Sequence, residues 1–416
     1  MLRIRACAAA ILVLGVLGGC DGAQADTGLT QDRLGAMIDS ILPSLEAASG
    51  LEARAPIRYA VQDSADVRAF VESELESELE PGEFDGMERA YKAFGLLPDT
   101  LDLRSLLLDL YTEQVVGYYD PRQDQLFVVE GVEGEAAAPV VAHELVHALQ
   151  DQHVDLEALM APELGNDRQV AAQAAAEGQA TLVMILLQAR TSSGRDVDPG
   201  DLPDMGELLR PGMEAQNASF PVFRDAPRLI RETMLFPYLS GAAFVQALYR
   251  AAESGPPVPF GDLLPTSTEQ VMNPRTHFLG DRDHPTDVAL GPAPDGWSVV
   301  YENTLGKLEV SILLTEHLGG VAAMAANGWD GDRYMLLEDG DTEALIWYSV
   351  WDDEASADAF ADAYRRVLDR RPNRAGAVTR EAVDGRPVVR VVESEDAGVA
   401  DALSPPGIRA LTEAGT

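Results

Sequence analysis

The stretch that decides the fold is VVAHELVHALQDQHVDL, residues 140–156. Two histidines, His143 and His147, stand four residues apart around Glu144, and His153 follows six residues after the second. The residues between them are largely apolar, so the stretch predicts a helix that packs into a core. Residues four apart share one face of an α-helix. The first two imidazoles can therefore reach one metal ion.

The H-E-x-x-H spacing is typical of catalytic zinc sites. We predict that His143 and His147 bind Zn²⁺ through their imidazoles. Glu144 is next to them on the helix, where its carboxylate can take a proton from a metal-activated water and pass it to a leaving amine. A zinc ion of this kind needs a third protein ligand, with water in the fourth position.

One candidate for the third ligand is His153, which stands where the metzincin signature H-E-x-x-H-x-x-G-x-x-H has its last histidine. That signature has a glycine where this chain has Gln150. In a continuous helix, His153 lies about 9 Å beyond His147 along the axis and is rotated by about 240°. It returns to the metal only if the helix ends abruptly, and a left-handed residue other than glycine makes such an ending costly.

The other candidate is Glu177, within AAAEGQAT (residues 174–181) on the next long predicted helix. Burying an ionised carboxylate among alanines costs free energy unless a partner offsets it, and zinc is such a partner. Gly178 beside it would let this helix approach the H-E-x-x-H helix closely. We favour Glu177 over His153 as the third ligand.

Several further residues are candidates for supporting roles. Tyr238 would donate its phenol to the oxyanion of a tetrahedral intermediate, and His277 and His284 are alternatives for that role. Asp151, one turn beyond the second zinc histidine, either orients a liganding imidazole or is an ordinary polar residue near a helix end. His317 lies on an apolar helix and is predicted to be structural.

The motifs resemble those of known zinc peptidases. HELVHALQD (residues 143–151) resembles the active helix of the gluzincins, and EGQAT (residues 177–181) is similar to the segment that supplies the third ligand in peptidase-MA-like bacterial metalloproteases. EQVVGYYDPRQDQLFVV (residues 113–129) resembles the strands before that helix. PTSTEQVMNP (residues 265–274) and GWDGDRY (residues 328–334) resemble segments of uncharacterised bacterial exported proteins of this type.

This resemblance extends from about residue 113 to 180, is looser to about residue 332, and does not include the N-terminal helices. It implies a zincin fold, in which a twisted sheet lies above the active helix and the substrate lies antiparallel along an edge strand. It also implies zinc-dependent hydrolysis of peptide bonds.

The N-terminus, MLRIRACAAAILVLGVLGGC (residues 1–20), indicates export. Arg3 and Arg5 precede an apolar run from Ala6 to Leu17, which is too short to span a bilayer of about 30 Å and is typical of a signal peptide. LGGC resembles the bacterial lipobox, whose cleavage exposes a cysteine for diacylation. Cys20 is therefore the predicted lipid anchor of an exported lipoprotein in the cell envelope. An ordinary secretory signal is the alternative.

The charge restricts the possible partners. The chain carries 31 basic and 69 acidic residues, a net charge of −38. A surface of this sign repels nucleic acid and anionic lipid headgroups. We therefore expect a peptide or protein substrate in the cell envelope, no nucleic acid, and membrane contact through the lipid anchor alone.

The patterning predicts an α+β fold in several parts. After the signal peptide, we assign residues 21–110 to a linker and N-terminal helices, residues 111–295 to the zincin-like domain, and residues 296–416 to a small α+β module. Two hairpins around a helix mark that module. Residues 192–225, rich in Pro, Gly and Asp, are predicted to form a long surface excursion.

The leading hypothesis is a membrane-anchored zinc metallopeptidase. The alternative is a non-catalytic zincin-scaffold lipoprotein that binds a cell-envelope partner through its C-terminal module. The intact Glu144 argues against this alternative, because a binding protein has no need of a general base. A metal-dependent hydrolase that acts on a bond other than a peptide is a further alternative.

Overall fold

The computed structural model describes residues 29–77, 82–132, 134–372, 374–396 and 398–410. The predicted signal peptide and Cys20 lie outside the described residues. Helices and strands are mixed along the described chain, which confirms the α+β class. The α-helices are α1 (Gln31–Ser49), α2 (Ser64–Ser77), α3 (Glu83–Ala93), α4 (Leu103–Gln114), α5 (Gly134–Asp151), α6 (Leu156–Leu159), α7 (Asn166–Ser193), α8 (Met205–Asn217), α9 (Pro221–Asp225), α10 (Arg228–Ala251), α11 (Thr268–Met272), α12 (Pro274–His277), α13 (Gly306–Leu318), α14 (Glu354–Asp369) and α15 (Val399–Ala402).

The strands of the described residues form three sheets. The strands are β1 (Arg58–Gln62), β2 (Gly117–Asp120), β3 (Gln125–Val129), β4 (Thr286–Ala289), β5 (Ser298–Asn303), β6 (Trp329–Asp339), β7 (Thr342–Trp351), β8 (Gly376–Val383), β9 (Arg386–Ser394) and β10 (Gly407–Ala410).

The first sheet has the order β1-β3-β2, with β1 parallel and β2 antiparallel to β3. The predicted pair of strands within residues 113–129 is confirmed as β2 and β3. Their turn forms because the Asp120 side chain accepts the Arg122 backbone N–H (3.0 Å) and Asp124 adopts a positive φ of 47°. Strand β1 lies before the predicted boundary at residue 110, yet it shares this sheet.

Helix α5 packs against this sheet, α1 and α7, and their apolar side chains form one core. Every residue of α5 from 140 to 150 is buried by these elements. An all-round apolar helix is stable only when it is covered on all sides. The H-E-x-x-H residues are therefore held inside the protein.

Helix α7 crosses α10 at two glycines. A Cβ on Gly178 would lie 2.2 Å from the carbonyl carbon of Gly241, and a Cβ on Gly241 would lie 2.2 Å from the Ala174 carbonyl oxygen. The expectation that Gly178 brings α7 close to α5 is therefore wrong, because its close partner is α10. Helix α7 is long and apolar enough to cross a membrane, but 78% of its apolar window is buried inside the protein.

Most residues of the predicted surface excursion at residues 192–225 are exposed, but the segment also contains α8 and α9, which were not predicted. Asp204 caps the N-terminus of α8, because its side chain accepts the Glu207 backbone N–H (3.1 Å). Met205, Leu209 and Met213, four residues apart, are buried in the core that includes α10. This apolar spacing is that of an amphipathic helix, and its polar face explains the composition.

The C-terminal part contains a five-stranded antiparallel sheet of order β5-β6-β7-β9-β8. Both predicted hairpins are confirmed, as β6–β7 and β8–β9, and α14 lies between them in the chain. Buried Asp332 accepts the indole N–H groups of Trp329 and Trp347 (3.0 and 2.9 Å) and the backbone N–H groups of Leu305 and Gly306 (both 2.9 Å). These bonds fix the start of α13 on the sheet.

Candidate metal centre

The structure brings His143, His147 and Glu177 together between α5 and α7. The Nε2 atoms of the two histidines are 3.1 Å apart. Oε2 of Glu177 lies 3.0 Å from Nε2 of His143 and 3.4 Å from Nε2 of His147. All three side chains are at most 3% exposed. The centre is thus a buried convergence of two imidazole nitrogens and one carboxylate oxygen.

These three atoms fit a zinc ion. Ligands at about 2.0–2.1 Å from a tetrahedral zinc lie about 3.3 Å from one another, close to the observed separations of 3.0–3.4 Å. Two imidazoles and a carboxylate are also the donor set of known catalytic zinc sites. A buried carboxylate on an alanine-rich helix needs a cation beside it, and in the described part of the chain the Glu177 carboxylate contacts the two imidazoles of this centre.

Glu144 is fully buried beside the three potential ligands. Neither of its carboxylate oxygens has a hydrogen bond of normal geometry to the described residues. Burial raises the pKa of Glu144 well above its usual range, although the positive charge of His147 opposes the shift. The carboxyl group therefore binds a proton more readily than an exposed glutamate, as a group that both accepts and returns a proton requires.

Charges within the centre couple the three potential ligands. Burial lowers the pKa of His143. Burial also acts to lower the pKa of His147, but the Glu177 carboxylate, together with Glu144 and Gln150, outweighs it and the net pKa is raised. The same interaction holds the pKa of Glu177 below its usual range despite the opposing effect of burial. Without a metal, an imidazolium beside a carboxylate is favoured, so a cation that binds there replaces a proton.

Gln150 contacts His147 on the side of the imidazole away from the other two potential ligands. The sequence did not lead us to predict this contact. Nδ1 of His147 donates to Oε1 of Gln150 at 2.8 Å. The Gln150 amide donates to the Ala176 carbonyl and to Oε1 of Gln179, both at 3.0 Å. The spacing of His147 and Gln150 could have indicated this contact, because residues three apart on a helix are neighbours.

Asp151 bonds to Tyr119 and Leu156 rather than to an imidazole. Of its two predicted roles, these contacts favour that of a polar residue near the helix end. Its Oδ2 accepts the Tyr119 hydroxyl at 2.9 Å, and its Oδ1 accepts the Leu156 backbone N–H at 3.5 Å. Tyr119 lies on β2, at the end of the first sheet. Asp151 therefore links the C-terminal end of α5 to that strand.

His153 lies away from the group of potential ligands. Helix α5 ends at Asp151, and a turn follows in which the His153 backbone N–H donates to the Gln150 carbonyl at 2.8 Å. This turn directs the imidazole toward the segment after α1, where Nε2 donates to the Glu52 carbonyl at 2.7 Å. The abrupt helix ending is present, but it does not return His153 to the centre.

Tyr238 lies beside the centre, on α10. Its ring centroid is 6.1 Å from that of His143, with an angle of 33° between the ring planes. The side chain is half-buried. The aromatic ring of Tyr238 therefore lies next to one of the two imidazoles of the centre.

His277 belongs to a second group of potential ligands, with Asp283 and Glu269. Nδ1 of His277 lies 3.0 Å from Oδ2 of Asp283 and 3.9 Å from Oε2 of Glu269. The other oxygen of Glu269 pairs with the buried Lys307 ammonium at 2.7 Å. A protein cation thus already occupies this carboxylate, and His277 takes part in a local ion-pair network.

The remaining two histidines also have local partners. Nδ1 of His284 lies 3.5 Å from the Thr266 hydroxyl. His317 donates from Nε2 to the Phe94 carbonyl at 3.0 Å and so joins α13 to the end of α3. The prediction that His317 is structural agrees with this contact.

Residues 298–404 match a family described as a domain of unknown function (DUF8575). The match covers about a quarter of the 416 residues and corresponds to the five-stranded sheet with α13, α14 and α15. No curated protein and no solved structure matches the chain. The candidate metal centre lies outside the matched segment.

Proposed function

We propose that the protein is a zinc-dependent metallopeptidase of gluzincin type. The observation that carries the proposal is the convergence of three ligand atoms within 3.4 Å of one another beside the buried Glu144 carboxylate. A purely structural cluster does not explain a glutamate buried beside the three ligand atoms with no side-chain hydrogen-bond partner among the described residues, because desolvating its carboxylate costs free energy. A reacting water explains both the carboxylate and the convergence.

Each residue of the centre has a role in this proposal. His143, His147 and Glu177 hold the metal. Zinc, when bound, polarises a carbonyl group and lowers the pKa of a bound water to about 7. Glu144 takes the proton of the attacking water and returns it to the leaving amine. Tyr238 donates its hydroxyl to the carbonyl oxygen as negative charge develops there.

Strand β2 is the proposed binding edge for the substrate. It is the last strand of the order β1-β3-β2 and packs against α5. The bond from Tyr119 to Asp151 fixes this strand relative to the active helix. All four residues of β2 are buried, so an extended peptide would pair with this strand, along the helix that carries Glu144, only if the segments that cover its edge move. The strongly acidic chain would favour basic or neutral segments over acidic ones.

The proposed setting is the cell envelope, with Cys20 as the lipid anchor. This part rests on the signal-peptide pattern of residues 1–20. Mass spectrometry of the mature N-terminus tests it, with a diacylated cysteine as the expected result and an unmodified, more distal N-terminus as the contrary one.

The test of the activity compares the zinc-loaded protein with Glu144→Gln on a library of unfolded peptides. New N-termini identified by mass spectrometry are expected with the wild type and absent with the variant, while both proteins hold about one zinc per chain. Zinc binding without new termini would favour the non-catalytic scaffold. Cleavage by both proteins would contradict the assigned role of Glu144.

A further inference from the structure

A chain of hydrogen bonds extends from the candidate metal centre to the end of α1. It begins at His147, passes through the side chains of Gln150 and Gln179, and ends at the carbonyl of Ser49, where the Gln179 amide donates at 3.0 Å. The side chains of His147, Gln150 and Gln179 are all fully buried. Its members come from α1, α5 and α7.

We infer that the backbone carbonyls of Ser49 and Ala176 fix the tautomer of His147, through Gln179 and Gln150. A backbone carbonyl only accepts hydrogen bonds. The Gln179 atom that faces Ser49 must therefore be its NH₂ group, which directs the Gln179 oxygen toward Gln150.

The same reasoning determines the next two steps. The Gln150 atom that faces both the Gln179 oxygen and the Ala176 carbonyl must be its NH₂ group. Its oxygen then faces Nδ1 of His147, which must carry a proton to donate to it. A neutral imidazole protonated at Nδ1 has its lone pair on Nε2, the atom that faces His143 and Glu177.

The position of Ser49 explains why its carbonyl can begin the chain. The last four carbonyls of an α-helix have no partner within the helix, and Ser49 is the last residue of α1. Gly50 follows in the left-handed conformation, with φ of 74°, and turns the chain away. Since Ser49 is buried, its carbonyl would remain unsatisfied without the Gln179 amide.

His143 provides the contrast. Its Nδ1 is buried and has no hydrogen-bond partner among the described residues. Of the two imidazoles, the hydrogen-bonded chain therefore orients His147 alone. Gln150 and Gln179 are positioning residues for this ligand, and α1 contributes to the centre although it lies about a hundred residues earlier in the chain.

For its effect on zinc, this inference rests on the proposed function. The full-length variants Gln150→Met and Gln179→Met keep the side-chain length but remove the amide. We expect each to bind zinc about 10–100-fold more weakly in competition with a chelator, the usual effect of losing an outer-shell partner. Two variants are used so that a folding defect in one does not decide the result.

Gln246→Met is the matched control. Gln246 is also fully buried and makes comparable bonds, to the Met205 backbone N–H and to the carbonyls of Pro199 and Pro203, but it contacts none of the potential ligands. It should lose stability and leave the zinc affinity unchanged. Equal losses of affinity in all three variants would show a general folding effect and overturn the inference.

A second readout needs no metal. Long-range ¹H–¹⁵N spectra of the ¹⁵N-histidine-labelled wild type should show a slowly exchanging proton on Nδ1 of His147, with or without zinc, and Gln150→Met should lose its slow exchange. An unprotonated Nδ1 would overturn the inference. If the wild type takes up no zinc, the proposed function fails, while this spectrum still decides on the hydrogen-bonded chain.

Discussion

Oε2 of Glu177 lies 3.0 Å from Nε2 of His143, although 34 residues separate the two in the chain. Helices α5 and α7 make this contact inside the protein, where an unpaired carboxylate would be costly. The contact turns a sequence pattern on one helix into a three-donor centre across two helices.

Glu177→Ala should abolish stoichiometric zinc binding, with a loss of affinity larger than the roughly 10–100-fold typical of outer-shell changes. His153→Ala is the control, because its imidazole is bonded to the Glu52 carbonyl. Zinc content measured by elemental analysis after dialysis checks both variants. Loss of zinc in His153→Ala with retention in Glu177→Ala would reverse the assignment of the third ligand.

Glu144→Gln should retain zinc and lower the rate of peptide hydrolysis by about 10²–10⁴-fold, since the amide cannot accept the proton of the attacking water. The variant is close to isosteric, so the buried site should keep its shape. Initial rates on a peptide that the wild type cleaves, with zinc content measured in parallel, make the test. A variant with wild-type rates would rule out the proposed general base.

Tyr238→Phe should lower kcat by about 10²–10³-fold with little change in KM, as expected for the loss of one donor to the oxyanion. Tyr249→Phe is a matched control on the same helix, because that hydroxyl bonds to the Ala48 carbonyl rather than facing the centre. Steady-state kinetics of both variants provide the comparison. An unchanged kcat in Tyr238→Phe would assign the tyrosine to packing.

Gly178→Ala should destabilise the protein by about 1–3 kcal/mol, the usual cost of overpacking, because its Cβ would lie 2.2 Å from the backbone of Gly241. Any separation of α7 from α10 also displaces the adjacent Glu177, so zinc affinity should fall as well. Gly212→Ala on α8 is the control, since nothing lies within 4 Å of its Cβ. It should gain up to about 1 kcal/mol from helix propensity. Denaturant unfolding measures both, and equal stabilities would contradict the close helix crossing.

The spacing of His143, Glu144 and His147 could be interpreted from the sequence because it is a local property of one helix. Glu177 could be selected because the cost of burying a carboxylate among alanines applies wherever the helix packs. The helix against which Gly178 packs could not be predicted correctly. Adjacent residues on a helix point in directions about 100° apart, so Glu177 faces α5 while Gly178 faces α10.

The role of Gln150 needed the fold, because its amide is oriented by carbonyls from two other helices. The hydrophobic spacing within residues 192–225 was overlooked, since Pro and Gly dominate the composition there and a helix of thirteen residues lies among them. Contacts between residues far apart in the chain, such as the pairing of β4 with β10, leave no periodic signal in the sequence.

Diffraction at the zinc absorption edge, from crystals of the full-length protein grown with zinc, tests the central claim most directly. The account predicts one strong anomalous peak about 2.0–2.2 Å from Nε2 of His143, Nε2 of His147 and Oε2 of Glu177. A peak bonded to His153 in place of Glu177, or no peak between α5 and α7, would contradict it.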